Sequence, residues 1–377
     1  MSASWIAEGS AAIAARAERE LEALVAVSSP SGDVRGADEA AAVVSALLPD
    51  AALIERPACS SPGHARDLIA RLHGTGTKRL LLVGHLDTVV GHSEHRPLTR
   101  DGERLVGSGS IDMKAGDVLA LGVLRALGSR RADFAEATLL LVGDEEWRVG
   151  EFVHAERFKG WDACLTFEAG EHTQEGGEAV VVKRKAAGTL RVVATGRSAH
   201  SGSAPQMGRN ALLALAAAAQ AVAACHDPEG PERLTAVPTV LRAGDAFNVV
   251  PAHGELTCDM RADRLEAFAA VLDAVPASVG GATLSAQNVR RWPGMDSRAA
   301  VLPLLERAGA ALGRPIAAHA RGGASDASHF AAQIELTVDG LGPLGGGAHA
   351  PHEFVWAWSL RTRAEVALAV VDAVLEA

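Results

Sequence analysis

Two side chains suited to metal chemistry, His85 and Asp87, follow directly after the apolar run 80–83. Such a run is typical of a buried strand, and in open α/β sheets ligands bind at the carboxyl ends of the strands. Alternate side chains of a strand face the same side, so the Asp87 carboxylate is expected to orient the His85 imidazole. The triplet alone is a weak signal, because a polar strand end is more often only a capped end.

Three consecutive carboxylates, Asp144, Glu145 and Glu146, follow a second apolar run at 139–142. Neighbouring carboxylates repel one another, and a divalent cation relieves that repulsion. Because adjacent side chains of an extended chain face opposite ways, one glutamate can bind a metal ion while the other removes a proton from water. A solvated acidic loop is the alternative interpretation of this triplet in isolation.

A glycine-rich segment at 107–114 places Asp112 just before a predicted helix. Glycine-rich loops before helices also bind phosphates, so a nucleotide-binding α/β protein is a competing interpretation. The segment lacks the spacing of a dinucleotide fingerprint and the Gly-Lys-Ser/Thr of a P-loop, and Asp112 would repel a phosphate. Metal binding is therefore the favoured interpretation.

Two further positions complete a candidate metal-binding set. Glu168 follows the apolar run 163–167, and a glycine-rich stretch near the C-terminus carries His349 and His352. Mixed imidazole and carboxylate ligands suit zinc, with cobalt or manganese as substitutes. With two histidines and three carboxylates, two metal ions that share a bridging carboxylate account for the set most simply.

An α/β body with a mostly parallel central sheet flanked by helices is needed to position these side chains. The predicted strands are 79–83, 137–142, 163–167 and 335–338, and the predicted helices are 11–27, 38–48, 115–127, 299–312 and 363–375. The β-rich stretches 180–195, 234–250, 255–261 and 283–289 enclose two predicted helices, at 210–226 and 265–275. This pattern predicts an inserted α+β sandwich at 180–291, so the catalytic body is expected to be discontinuous, at 1–179 and 292–377.

Composition and charge exclude several classes of protein. The chain has 377 residues, 48% of them hydrophobic, which predicts a sizeable core and two domains. Its net charge of -10 argues against nucleic-acid binding. The four cysteines form no CxxC pair and are expected to be buried, reduced thiols. The charged N-terminal region and the shortness of the longest apolar stretch, 211–224, predict a cytoplasmic protein without a membrane partner.

Taken together and in this order, the motifs resemble the zinc exopeptidase and deacylase family that includes glutamate carboxypeptidase, aminoacylase, acetylornithine deacetylase and succinyl-diaminopimelate desuccinylase. The resemblance covers nearly the whole chain and is closest in pattern to glutamate carboxypeptidase. The motifs are Ser29-Pro-Ser-Gly32, Gly84-His-Leu-Asp-Thr-Val89, Gly107-Ser-Gly-Ser-Ile-Asp-Met-Lys114, Asp144-Glu-Glu146, Glu168-Ala-Gly170, Gly196-Arg-Ser-Ala-His-Ser-Gly202, Asn248-Val-Val-Pro251, Asp259-Met-Arg261, Arg321-Gly-Gly-Ala-Ser-Asp326 and Gly347-Ala-His349.

The resemblance implies a specific arrangement of two zinc ions. Asp112 would bridge them, and the peptide bond that follows Asp112 is often cis in the family. The remaining ligands would be His85 and Glu168 at one ion, and Glu146 and His349 at the other. Glu145 would be the general base. His349 is preferred over His352 because it keeps the family's spacing to a following acid, Glu353.

The resemblance also implies roles outside the metal-binding set. The inserted domain at 180–291 would form a homodimer, in which His200 reaches the partner's site and stabilises the oxyanion. Asn248, Arg261 and Arg321 would bind the substrate carboxylate or the neighbouring carbonyl, since the planar guanidinium pairs with a carboxylate through two hydrogen bonds. An ordinary salt bridge is the alternative for each arginine.

These features predict a two-metal hydrolase that cleaves an amide bond next to a carboxylate in a small peptide or acyl-amino acid. A glutamate-type carboxypeptidase is the first expectation, and an N-acyl amino acid deacylase with the same mechanism is the second. A non-catalytic metal- or peptide-binding relative is the alternative from a different class. Such a binding protein would not need Glu145, which is expected to bind no metal.

Overall fold

The computed structural model describes residues 2–377. The α-helices are α1 (Ser2–Val25), α2 (Val34–Leu47), α3 (Ala115–Leu127), α4 (Ala211–Ala224), α5 (Phe268–Ala274), α6 (Arg298–Leu312), α7 (Ala327–Phe330) and α8 (Ser359–Leu375). The strands are β1 (Leu53–Glu55), β2 (Leu68–His73), β3 (Lys78–His85), β4 (Thr99–Asp101), β5 (Arg104–Val106), β6 (Phe134–Val142), β7 (Ala163–Thr166), β8 (Glu171–His172), β9 (Glu178–Arg184), β10 (Ala186–Thr195), β11 (Thr235–Ala243), β12 (His253–Ala262), β13 (Ser278–Val279), β14 (Ala282–Trp292), β15 (Met295–Asp296), β16 (Ile316–Arg321), β17 (Leu336–Val338), β18 (Gly345–Gly346) and β19 (Phe354–Trp356).

The chain divides into two compact units. The first unit consists of the residues up to Lys183 together with Asp296–Arg321 and Ser325–Ala377. The second unit consists of Arg184–Met295 and Gly322–Ala324. The first unit is therefore discontinuous in sequence. Its first segment ends at Lys183 and its next begins at Asp296, each a few residues after the expected domain boundaries at 179 and 292.

The central sheet of the first unit has the strand order β1-β2-β6-β3-β7-β17. Strands β6, β3, β7 and β17 are parallel to one another, whereas β2 is antiparallel to β6 and β1 to β2. Helices cover both faces, which explains why the central strands are continuous apolar runs rather than alternating ones. Leu80 and Leu82 of β3 face the larger core, and Leu81 and Val83 face the smaller one.

Helix α1 begins at Ser2 and not at residue 11, where the prediction placed its start. The buried face of the helix extends to its first turns, because Ile6 and Ile13 lie on the same side as Leu21 and Leu24. The intervening alanine, glutamate and serine residues hide this period in the sequence. The helix packs against α3 and α8, so its length contributes to the larger core.

The second unit is an antiparallel sheet with the strand order β11-β12-β10-β14-β13. Alternate side chains of its central strand, such as Leu190 and Val192, pack with Leu215 of α4 and with Phe268 of α5. Along the chain the elements follow the expected order strand, helix, two strands, helix, strand, except that the two-residue strand β13 precedes the last strand, β14. The expected fold class, a mostly parallel α/β body with an inserted α+β sandwich, is confirmed.

Two expected strands were wrong in extent. The stretch 180–195 forms two strands, β9 and β10, which flank Lys185 and belong to different sheets. The basic run Lys183-Arg184-Lys185 lies at the junction, and the prediction did not use it as a boundary. The stretch 234–250 forms a strand only as far as Ala243, since Gly244 adopts φ +79° and ends the extended conformation.

Within residues 2–377, no helix combines the length and apolarity needed to cross a membrane. The cytoplasmic location stays a prediction.

The four cysteine thiols are free, but only Cys164 and Cys258 are buried. Cys59 and Cys225 are half-buried, which corrects the expectation that all four thiols lie in the interior.

Candidate metal centre

The carboxyl ends of three neighbouring parallel strands form one edge of the central sheet. His85 is the last residue of β3, and it lies opposite Val142, the last residue of β6. The acidic turn, residues 143–146, follows β6, and Glu168 follows β7. Because parallel strands end at the same edge, the side chains that follow them meet there.

One group of possible ligands consists of His85, Asp112 and Glu168. The His85 Nε2 atom lies 3.1 Å from Asp112 Oδ1 and 3.9 Å from Glu168 Oε1. Imidazole and carboxylate groups in this number suit a zinc ion. All three residues belong to the set that the sequence predicted.

A second group consists of Asp112, Glu146 and His349. The His349 Nε2 atom lies 3.1 Å from Asp112 Oδ2 and 3.3 Å from Glu146 Oε2. Asp112 thus directs one carboxylate oxygen toward each histidine, the arrangement that a bridging ligand requires. Neither group includes His352. The peptide bond between Asp112 and Met113 is cis.

The chemistry of the donor set can be tested against the structure. Within the described residues, the buried Glu146 Oε1 atom has no hydrogen-bond partner, which is costly for a carboxylate oxygen unless a cation neutralises it. Burial raises the pKa of Glu168 well above its usual value, and the nearby Asp112 adds to this effect. Buried carboxyl groups of this kind are hard to ionise by themselves. Divalent cations favour the charged carboxylates, so this donor set fits the binding of such cations.

Asp112 differs from its acidic neighbours in its electrostatics. Burial works to raise the pKa of this carboxyl group, but hydrogen bonds with His349 and His85 outweigh burial and hold the pKa below its usual range. The Asp112 carboxylate is therefore the most readily ionised acid of the cluster. This property suits a ligand shared by two cations.

Asp87 lies beneath both His85 and the acidic turn. Its Oδ1 atom is 3.4 Å from His85 Nδ1, which lies closer, at 3.0 Å, to the Asp87 backbone carbonyl. The Asp87 carboxylate accepts hydrogen bonds from the backbone N–H groups of Glu145 and Glu146, each at 3.1 Å. Asp87 therefore holds the acidic turn as well as the imidazole. The sequence pattern indicated only the contact with the imidazole.

A buried ion network supports the acidic turn from the other side. The Arg148 Nη2 atom lies 3.0 Å from Asp144 Oδ1 and 3.0 Å from Asp326 Oδ2, and all three side chains are nearly inaccessible to solvent. Asp144 also accepts the backbone N–H of Ser61 at 2.8 Å. The first acid of the predicted triplet is therefore an ion-pair partner and belongs to neither ligand group.

Arg321 is the candidate substrate-binding residue of the first unit. Its Nε atom donates to Glu171, whose other oxygen lies 2.7 Å from His319 Nδ1. Arg321 and Glu171 line a polar cavity of about 220 Å³. The other lining residues are Gly170, His172, Leu344, Gly345 and Trp356.

The remaining candidates lie in the second unit. His200 and Asn248 are near each other, because the backbone N–H of Ser201 donates to the Asn248 carbonyl at 3.0 Å. The His200 Nδ1 atom accepts the backbone N–H groups of Gly202 and Ser203, so a neutral imidazole carries its proton on Nε2. Arg261 pairs with Asp259 through two bonds of 3.1 Å, the salt bridge that the sequence left open as an alternative.

Comparison with known proteins places this chain in a family. Residues 81–373 match the model of peptidase family M20/M25/M40. The chain is 27% identical over 351 residues to carboxypeptidase G2 from a Pseudomonas species, with 88% of this chain and 82% of that protein covered. It is 30% identical over 280 residues to a putative succinyl-diaminopimelate desuccinylase from Mycobacterium tuberculosis, with 70% and 74% covered.

Solved structures share the fold. An aminopeptidase PepT from Bacillus cereus superposes with a TM-score of 0.76 at 21% identity, covering 96% of this chain and 98% of that one. An M20 family metallo-carboxypeptidase from Sulfolobus solfataricus superposes with a TM-score of 0.73 at 16% identity, covering 95% and 98%. The expected resemblance is confirmed. The chain is a metal-dependent hydrolase that belongs to peptidase family M20/M25/M40.

Proposed function

We propose that this hydrolase uses two zinc ions to cleave an amide bond next to a carboxylate, as a glutamate-type carboxypeptidase. The observation that carries the proposal is the position of Asp112, whose two oxygens face His85 and His349 in two ligand groups. The similarity to carboxypeptidase G2 supports the substrate class. Cobalt or manganese could replace zinc, because both accept imidazole and carboxylate ligands.

The proposed ligand assignment follows the two groups. His85 and Glu168 complete one site, Glu146 and His349 complete the other, and Asp112 is shared. When bound, divalent cations of this kind polarise the scissile carbonyl and make water acidic enough to supply a nucleophile near neutral pH. The buried, unpaired oxygen of Glu146 supports this assignment, since a cation would satisfy it.

Glu145 is the proposed general base. It belongs to neither ligand group, its backbone is held by Asp87, and its side chain is almost buried. Burial raises its pKa to about 8, so the carboxylate binds a proton more tightly than an exposed glutamate would. A base with a pKa near the working pH can accept the proton of the attacking water and then donate it to the leaving amine.

Four residues are proposed to contact the substrate, each considered within its own unit. The Arg321 guanidinium would bind the substrate carboxylate, and Asn248 and Arg261 would contribute further polar contacts. The Nε2–H group of His200 is a donor of the kind that stabilises an oxyanion. The second unit is also proposed to form a homodimer, in which His200 serves the partner's site.

The test is a hydrolysis assay with a panel of peptides that end in glutamate and of N-acyl amino acids. Purified protein would be assayed after chelator treatment and after zinc is added back, with metal content measured in parallel. We expect activity only in the zinc-loaded protein and the highest kcat/KM on substrates with a free carboxylate next to the scissile amide. Equal activity on carboxamide analogues would contradict the proposed substrate class.

An N-acyl amino acid deacylase is the second candidate. It is supported by the 30% identity to a relative described as a desuccinylase, an enzyme that removes an acyl group. The two candidates share their chemistry and differ in the group recognised on the amine side of the bond. A preference for N-acyl amino acids over peptides in the same panel would favour the deacylase.

A further inference from the structure

We infer that Glu353 positions the shared ligand Asp112, and thereby tunes both metal sites, by binding three backbone N–H groups of the segment that carries Asp112. This inference rests on the proposed two-metal centre. It concerns a residue outside both ligand groups. The segment, residues 107–114, is called the Asp112 loop below.

Both oxygens of the Glu353 carboxylate are occupied by the Asp112 loop. Oε2 accepts the N–H of Gly109 at 2.7 Å, and Oε1 accepts the N–H groups of Ile111 and Asp112 at 2.8 and 3.0 Å. The Glu353 backbone carbonyl also accepts the N–H of Gly107, at 3.1 Å. With only 3% of the residue exposed, water does not compete for these bonds.

The backbone of the Asp112 loop is shaped around this carboxylate. Several N–H groups that point to one centre form a concave site for an anion, and hydrogen bonds to an ionised acceptor are stronger than neutral ones. Gly109 adopts φ +70°, and a Cβ atom there would lie 2.5 Å from Thr88 Cγ2. Glycine at this position therefore allows the loop to curl around the Glu353 side chain.

The hydrogen bond from the Asp112 N–H to Glu353 holds the backbone of the shared metal ligand. The orientation of that peptide group sets the direction of the Asp112 side chain, whose oxygens lie 3.1 Å from His85 Nε2 and 3.1 Å from His349 Nε2. A small rotation of the backbone would move both oxygens at once. Because Asp112 belongs to both ligand groups, loss of the Glu353 anchor should weaken both sites and not one alone.

Glu353 also belongs to the turn that carries His349. The Glu353 N–H donates to the Ala350 carbonyl at 3.1 Å, and the Ala350 N–H donates to the Gly347 carbonyl at 2.9 Å. One carboxylate thus joins the His349 turn to the Asp112 loop, segments about 240 positions apart in the chain. Residues that orient metal ligands in this way typically change metal affinity by about 10–100-fold when they are substituted.

The experiment measures zinc binding by the full-length protein rather than its activity. Apoprotein would be titrated with zinc against a competing chelator, and the cobalt(II) absorption spectrum would report the ligand geometry. In Glu353→Gln, the remaining oxygen can serve two of the three N–H groups, while the new NH₂ group meets the third donor. We expect both zinc affinities to fall by about 10–100-fold and the cobalt spectrum to change.

A matched control is Glu20→Gln. Glu20 is another buried glutamate, 2% exposed, but it pairs with Arg16 and Arg125 and contacts neither ligand loop. We expect wild-type zinc affinity for this control even if its thermal stability drops. If the Gln variant does not fold, Glu353→Asp, whose shorter carboxylate cannot reach all three N–H groups, provides the same comparison.

The outcomes separate this inference from the proposed function. Wild-type protein that binds no more than one divalent ion would overturn the two-metal proposal itself. Wild-type protein that binds two zinc ions, together with a folded Glu353 variant of unchanged affinity and cobalt spectrum, would overturn only the role of Glu353. A loss of affinity at a single site would also contradict it, because the shared ligand predicts an effect at both.

Discussion

The carboxylate of Asp87 accepts a hydrogen bond of 3.1 Å from the backbone N–H of Glu145. The two residues follow neighbouring parallel strands, and a second bond of the same length reaches Glu146. Asp87, which follows the candidate metal ligand His85 by two residues, thus positions the proposed base and another candidate ligand. This contact joins three functional groups in one rigid arrangement, which is how buried residues behind a metal centre act.

Substitution of Asp87 by asparagine should affect both the metal and the base. The amide can accept one of the two backbone N–H groups, but its NH₂ group opposes the other. We expect kcat and zinc affinity each to fall by about 10–100-fold. Steady-state kinetics and zinc titration check this, with the exposed Asp50→Asn as a control. Unchanged kinetics would show that the two N–H bonds are not needed to position the turn.

Glu145→Gln should separate catalysis from metal binding. The side chain belongs to neither ligand group, so two zinc ions per chain should remain bound. Loss of a general base typically lowers turnover by about 10²–10⁴-fold, and we expect kcat to fall within or beyond that range. The neighbouring Glu146→Gln is the matched comparison, since it should lose metal from one site. A fast Glu145→Gln enzyme would remove this residue from the role of base.

Removal of the metal should destabilise the folded protein. Carboxylates of the two ligand groups lie close together, and zinc that binds only the folded state adds about 2.7 kcal/mol at a concentration 100 times its Kd. We expect the melting temperature to fall after chelation and to recover when zinc is added. In His349→Ala the recovery should be smaller. A melting temperature that is insensitive to chelator in the wild type would argue against metal binding in the folded state.

Asp326→Asn should test the buried ion network. Removal of one partner from a buried pair typically costs about 3–5 kcal/mol, because it leaves the Arg148 charge under-compensated. Denaturant unfolding measures this loss. The half-exposed pair formed by Asp133 and Arg130 is the control, and Asp133→Asn should cost at most about 1 kcal/mol. Similar losses in the two variants would contradict a special role for burial.

The same variant should change the dependence of stability on pH. Burial acts to raise the pKa of Asp326, but Arg148 outweighs burial and lowers the pKa below its usual value. A carboxyl group with a lowered pKa in the folded state stabilises the protein above its unfolded pKa of about 3.9, and this stability is lost as the pH falls further. Asp326→Asn should therefore show a shallower loss of stability below about pH 4.

Glu171→Gln should alter substrate binding more than turnover. Glu171 holds Arg321 through Nε, so its loss should let the guanidinium move away from the substrate carboxylate. A hydrogen bond to a charged group contributes about 1.5–3 kcal/mol, so we expect KM to rise roughly 10-fold or more with kcat nearly unchanged. Carboxamide analogues, which lack the anion, provide the control. A fall in kcat without a change in KM would place Glu171 outside substrate binding.

The sequence alone determined the fold class, the family and the residues of the candidate centre. Apolar runs that are followed within a few residues by His85, Glu146 and Glu168 predict strand ends, and parallel strands bring their ends to one edge of the sheet. Glycine-rich segments marked the positions of Asp112 and His349. These signals are local, because each depends on a few neighbouring residues and on the period of a strand or helix.

Only the tertiary structure decided which backbone groups the supporting carboxylates bind. Glu353 is bonded to Asp112 across 241 positions of the chain, and Arg148 reaches Asp326 across 178. The division of 180–195 into β9 and β10 was also decided there, since the two strands pair within different sheets. Such contacts depend on where distant segments pack, and side-chain type and spacing carry no information about that geometry.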